Sequence, residues 1–139
     1  MEKHDTFSFT TPIATTERPW GNFTILADGH DTSWRVKVLR VRKGEELSLQ
    51  THRLRDEHWI ILDGAVRATV GGGVMSLITG GRKFTRGDYI VVPRGKPHRL
   101  KALEDAIFCE VSIGDVHEED EVRIEDSYGR VGTVNRDVN

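Results

Sequence analysis

Gly44-Glu45-Glu46-Leu47-Ser48-Leu49-Gln50-Thr51-His52-Arg53-Leu54-Arg55-Asp56-Glu57-His58-Trp59-Ile60-Ile61-Leu62-Asp63-Gly64 is the stretch from which the fold of this chain is read. Within it, residues 47–52 alternate, with Leu47 and Leu49 on one side and Ser48, Gln50 and His52 on the other. That is the period of a strand with one buried face. Residues 57–62 form a second strand candidate, stopped at Asp63-Gly64, a dipeptide suited to a tight hairpin turn. Outward from this pair the same punctuation recurs. Candidate strands at 22–26, 34–41, 65–70, 74–78, 83–86, 89–92, 98–101 and 106–113 each end at or near a glycine or proline. In 34–41 the apolar alternation slips between Val38 and Leu39, which reads as a bulge. No long segment has the 3.6-residue period of a helix. The prediction is an all-β domain, a sandwich or a barrel.

The chain has 139 residues, 37% of them hydrophobic and 30% charged. That supports one modest core and excludes a two-domain enzyme with its own nucleotide-binding half. The expected organisation is a flexible N-terminal arm at 1–18, one domain at 19–130 and a C-terminal tail at 131–139. A net charge of -2 argues against a nucleic-acid partner. No apolar run is long enough for a membrane helix and the N-terminus is polar, so the expected location is cytoplasmic. The single cysteine, Cys109, forms no internal disulfide. The acidic run 117–121 reads as a solvated face or a helix start.

Two groups of residues carry chemistry. Gln50 and His52 are two apart on one strand and point the same way. Glu57 opens the next strand after a short connection and can return to face them. His98 follows the turn Pro93-Arg94-Gly95-Lys96-Pro97 at the head of another strand. Two imidazole nitrogens, a carboxylate and an amide oxygen suit Zn²⁺ or a similar first-row divalent ion, with room left for water or substrate.

These two spans resemble the paired motifs of the cupin superfamily. Gln50 stands where that motif usually has its first histidine, and Ala102 where it usually has asparagine. The resemblance implies a double-stranded β-helix, a jelly-roll barrel with a metal inside. Arg18-Pro19-Trp20-Gly21, Lys37, Leu47-Ser48-Leu49-Gln50, Arg55, Glu57-His58-Trp59, Pro97-His98-Arg99 and Tyr128-Gly129-Arg130 extend it. With them, residues 18–130 resemble the type II mannose-6-phosphate isomerases, whose cupin is often the C-terminal part of a bifunctional isomerase and mannose-1-phosphate guanylyltransferase. The implied metal set is Gln50, His52, Glu57 and His98. Zinc is the family's usual ion, and manganese, cobalt, nickel or iron also suit these ligands.

The implied activity is interconversion of D-mannose 6-phosphate and D-fructose 6-phosphate. Such an isomerisation needs a base at C2, a stabiliser of the developing oxyanion and a cation for the phosphate. The metal serves as stabiliser. Lys37, Arg55 and Arg99 are the candidate cations, Arg130 a substrate-binding lid residue and Trp59 a wall of the pocket. No carboxylate outside the ligand set stands out as the base, which stays open between Lys37 and a hydroxide at the ion. Strand alternation sends His58 to the face opposite Glu57. Exposed sheet edges favour a homodimer. The competing readings are a non-catalytic sugar-phosphate-binding or assembly cupin, and another cupin enzyme acting on a sugar phosphate or nucleotide sugar.

Overall fold

The computed structural model describes residues 14–29, 31–72, 80–117 and 120–131. Eleven strands are found there: β1 (Thr15–Arg18), β2 (Gly21–Asp28), β3 (Trp34–Val41), β4 (Leu49–His52), β5 (Arg55–Asp63), β6 (Ala65–Val70), β7 (Arg82–Thr85), β8 (Tyr89–Val92), β9 (His98–Ala102), β10 (Ala106–Gly114) and β11 (Glu121–Glu125). The expected strand at 74–78 lies outside the described residues, as do residues 1–13 and 132–139. Among the described residues no helix is long and apolar enough to cross a membrane.

The all-β expectation holds, but the barrel does not. The strands form a six-stranded sheet in the order β1-β2-β3-β10-β5-β8 and a five-stranded sheet in the order β11-β4-β9-β6-β7. Each sheet is open, with β1 and β8 as edges of one and β11 and β7 as edges of the other. The described ladders stay within a sheet, so the two layers are joined by packing and by the chain and not by continuous hydrogen bonding. The architecture is a two-sheet sandwich.

Two strands differ from the sequence reading. Thr15–Arg18, assigned there to the arm, pairs antiparallel with β2 from Thr15↔Thr24 to Arg18↔Gly21. The acidic run ends in β11, where Glu121 and Arg123 are buried. Ahead of it, the Asp120 carboxylate accepts from the Leu54 N–H at 2.9 Å and pins the β4–β5 connection.

The slip expected in 34–41 has another cause. Pairing of β3 with β10 is regular from Val41↔Ala106 to Trp34↔Ile113. The register shift lies in β2, between Ile25 and Ala27. The inward residues of β3 include Lys37, Leu39 and Val41, while Val36 and Val38 lie on the outer, half-buried face. A charged group, not a bulge, breaks the apolar pattern.

The register lines up the inner face of the six-stranded sheet in rows. Ile61, Phe108, Leu39 and Phe23 form one row. Trp59, Glu110, Lys37 and Ile25 form the next. Glu57 and Ser112 begin a third. The first row packs against Val66, Ala68, Leu100 and Ala102 of the other sheet in the hydrophobic core. Side chains as deeply buried as Phe108, Ile61 and Leu100 contribute about 1.5–3 kcal/mol each. The interior thus changes from apolar to polar along the strands, and the polar end is the site.

Candidate metal centre

β4, β5 and β9 each deliver one side chain to this polar end. On β5 the inward positions are Arg55, Glu57, Trp59 and Ile61, all buried. His52 ends β4 and His98 starts β9, with Gln50 paired to His98 across the two strands. The turn at residues 93–96 aims His98. Gly95 adopts φ +73°, a conformation that disfavours a side chain, and its N–H donates to the His52 carbonyl at 2.7 Å.

His52, Glu57 and His98 are each 1–2% exposed. One ligand atom from each lies within 4.8 Å of the others. His52 Nε2 is 3.0 Å from Glu57 Oε1, and His98 Nε2 is 3.7 Å from Glu57 Oε2. His98 Nδ1 sits 2.9 Å from the Lys96 carbonyl oxygen. It must donate there, which leaves the Nε2 lone pair aimed at the centre. That atom is buried with no hydrogen-bond partner among the described residues. A buried acceptor without a donor, facing a carboxylate and a second imidazole, fits a divalent cation. Gln50 is adjacent: its Nε2 is 3.3 Å from His52 Nε2 and its Oε1 accepts from Ser48 Oγ at 2.7 Å.

The surroundings hold this set in a ligating state. Burial alone would raise the Glu57 carboxyl, but His52, Arg55 and His98 outweigh it and hold the group well below the usual carboxylate range. Arg55 Nε donates to Glu57 Oε1 at 3.1 Å and the Trp59 indole N–H donates to Oε2 at 3.1 Å. Burial pushes the His98 imidazole down to about 4, against the opposing pull of Glu57. Both groups are therefore in their ligand forms at neutral pH.

A pH dependence follows from His98. The unfolded imidazole titrates near 6.5 and the folded one near 4, so between these values the unfolded chain binds more protons. Stability of the metal-free protein is full above the unfolded value and is lost as pH falls toward the folded one. Urea unfolding in chelator should show a loss of about 2–3 kcal/mol between pH 7 and pH 4.5. Equal midpoints at the two pH values would contradict a neutral buried His98.

The cavity lined by Gln50, Glu57 and His98 is also lined by Lys37, Arg55, Trp59, Arg99, Glu110 and Arg130. Of the site residues named from the sequence, all but His52 line it, though with different partners. Arg55 is wholly inside, with Nη1 donating to the His117 carbonyl at 3.1 Å and Nη2 3.3 Å from His52 Nε2. Lys37 Nζ lies 4.8 Å from the centre of the Phe23 ring. Trp59 meets His98 edge-on at 5.6 Å between ring centres. Arg99 stands at the rim, and its guanidinium donates to Glu125. Arg130 is gripped by Asp126, with Nη2 2.8 Å and Nε 3.0 Å from its carboxylate. The same turn is anchored by Tyr128, whose hydroxyl donates to Glu45 and whose phenol is pushed up to about 12 by burial and that bond. His58 points to the outer face, where it contacts the Tyr89 hydroxyl.

Sequence reasoning missed Glu110, Glu121 and Arg123, all buried and all lining the cavity. Arg123 Nη2 bonds Glu121 Oε1 at 2.9 Å. The available signal for Glu110 was a lone carboxylate in an apolar strand, at the same parity as Phe108.

The family described as "Mannose-6-phosphate isomerase C-terminal" matches residues 8–126. The chain belongs to this family. Mannose-1-phosphate guanylyltransferase ManC of Salmonella typhimurium is 39% identical over 119 residues, which is 82% of this chain and 22% of ManC. Alginate biosynthesis protein AlgA of Pseudomonas putida is 34% identical over 122 residues, 84% of this chain and 23% of AlgA. The chain thus spans less than a quarter of the length of these curated relatives. Among solved structures, an RmlC-like cupin from Shewanella frigidimarina superposes with a TM-score of 0.63 at 17% identity, covering 84% of this chain and 97% of the other. That likeness establishes the cupin fold. This member of the mannose-6-phosphate isomerase C-terminal family is a cupin domain with a buried His52/Glu57/His98 metal-binding triad.

Proposed function

We propose that this domain is a metal-dependent aldose–ketose isomerase that interconverts D-mannose 6-phosphate and D-fructose 6-phosphate. The observation that carries the reading is the buried triad, of which Glu57 and His98 line a cavity whose wall also holds Lys37, Arg55 and Arg130. Family membership supports the same substrate class. His52, Glu57 and His98 would hold the ion, with Gln50 as a fourth ligand once its amide turns its oxygen inward, a rotation after which its NH2 donates to Ser48 Oγ. The ligand set suits zinc, and accepts manganese, cobalt, nickel or iron. The bound ion would act as a Lewis acid on the sugar's carbonyl oxygen.

The chain's own groups do the rest. Lys37 and Arg55 supply positive charge inside the cavity for the phosphate, with Arg99 at the rim. Arg130 sits on the turn at 126–130, positioned to cover bound substrate. Trp59 walls the pocket and orients Glu57 through its N–H. A cytoplasmic homodimer is the proposed state.

The test is direct. Protein loaded with Zn²⁺, Mn²⁺, Co²⁺ or Ni²⁺ is given mannose 6-phosphate, and fructose 6-phosphate is measured. Turnover with at least one ion is the expected result. Bound metal and bound sugar phosphate without turnover would transfer the reading to a non-catalytic binding cupin.

A further inference from the structure

The outer faces of the two sheets differ in kind. On the six-stranded sheet, pairing aligns Val38, Cys109, Ile60 and Tyr89 in one outward row. Val36, Val111, His58 and Val91 form the next. Neither row contains Asp, Glu, Lys or Arg. With Trp34, Leu62 and Ile113 beside these rows, the face holds six of the eleven large hydrophobic side chains that are exposed among the described residues. Charged groups flank it: Asp56, joined to Arg94, at one end, and Arg40 and Asp63 at the other. An apolar centre inside a charged rim is the anatomy of a protein interface.

Size and charge decide the occupant. The sheet spans five strand spacings, and its four longest strands have eight or nine residues. Its outer face is about 24 by 28 Å, on the scale of the roughly 800 Å² that each partner buries in a stable interface. The chain itself has less to offer. Residues 1–13 carry Phe7, Phe9 and Ile13 beyond Met1, and residues 132–139 carry two valines, fewer large apolar groups than the face presents. Residues 73–79 connect β6 to β7, both in the other sheet. A second copy supplies an equal face, apolar against apolar. The outer face of the five-stranded sheet cannot mate in that way. There Lys83, Arg67 and Lys101 stand directly opposite one another on β7, β6 and β9, and two such rows repel.

We propose that two copies of this chain associate through the outer face of the six-stranded sheet, packed face to face about a two-fold axis. The assignment gives the homodimer proposed above its surface and rests on that homodimer, not on the isomerase reading. The contact is made by a sheet face and not by the sheet edges to which the sequence pointed. Cys109, in mid-row between Val38 and Ile60, becomes covered. The His58 ring, stacked on Tyr89 at 5.7 Å between ring centres, enters the contact with its Nδ1 already engaged by the Tyr89 hydroxyl. β5 and β10 then carry the interface on one side and Glu57 and Glu110 on the other.

Wild type, Ile60→Lys and Val91→Lys are compared by sedimentation equilibrium, with urea unfolding as the check that each variant folds. Each copy brings the substitution, so one lysine places two charges in the apolar contact. The dimer dissociation constant should rise at least about 100-fold in both variants. Cys109, the only cysteine, gives a second readout without any substitution. Its alkylation should be at least about tenfold slower in the wild-type dimer than in the monomer obtained by dilution, and this decides the matter if the variants fail to fold. A dimer of unchanged affinity in either folded variant, or equal alkylation of monomer and dimer, overturns this face and leaves the homodimer to another surface. Wild type that stays monomeric up to its solubility limit overturns the homodimer and this face together.

Discussion

Replacing His98 by alanine is expected to empty the metal centre. His98 contributes the one imidazole nitrogen that is buried, aimed at the centre and without a hydrogen-bond partner among the described residues. Its ring is held by the Lys96 carbonyl and by Trp59, so no neighbour swings in to replace it. Loss of an outer-shell partner alone lowers metal affinity by about 10- to 100-fold, and loss of a ligand exceeds that. Metal per chain, measured by atomic emission after dialysis, should fall to background. His52→Ala should behave alike. His58→Ala should retain its metal, because that ring lies on the outer face of β5 against Tyr89. Metal lost from the His58 variant, or kept by the His98 variant, would contradict the assignment of the two faces.

Arg55→Met should destabilise the metal-free protein by about 3–5 kcal/mol, the usual cost of breaking a buried ion pair by removing one partner. Arg55 and Glu57 are both almost fully buried and 3.1 Å apart. Without the guanidinium, burial of Glu57 is opposed by the two imidazoles and the Trp59 N–H, and its carboxyl moves up toward the neutral form. A divalent ion restores positive charge beside it, so the loss should shrink markedly when zinc is present. Urea unfolding with chelator and with zinc gives both numbers. A metal-free loss below about 1 kcal/mol would mean that Arg55 does not compensate Glu57.

Most strands were legible because their apolar residues alternate between glycine or proline stops. β5 is the clearest case, ending at Asp63-Gly64, where Gly64 takes φ +79°. The three triad residues were legible too, since parity placed Gln50 and His52 together and the residue 93–97 turn ahead of His98 implied a directed side chain. What was hidden has a common physical cause. In β3 and β11 the inward residues include Lys37, Glu121 and Arg123, so a reader who equates apolar with inside picks the wrong face. Glu110 is hidden by the opposite effect, a single charged group in a run whose two faces are both largely apolar. Barrel closure leaves no local mark at all. It depends on how edge strands pair, and among the described residues β7, β8 and β11 each pair on one side only.

The row order of the six-stranded sheet has a bearing on which parts of this protein can vary. Glu57 and Glu110 share strands with Ile61 and Phe108, and sit one or two rungs from them. A one-residue register slip of β5 or β10 would turn the core residues outward together with the carboxylates. Chemistry and folding are thus under one constraint at the centre of the sandwich. β11 is different. Among the described residues it is an edge strand joined only to β4, and the turn behind it carries Arg130. Changes there alter one wall of the cavity and leave the shared strands untouched. Under the isomerase reading proposed above, preference for one sugar phosphate over another is most readily retuned from β11 and residues 126–130, while the two carboxylates stay tied to β5 and β10.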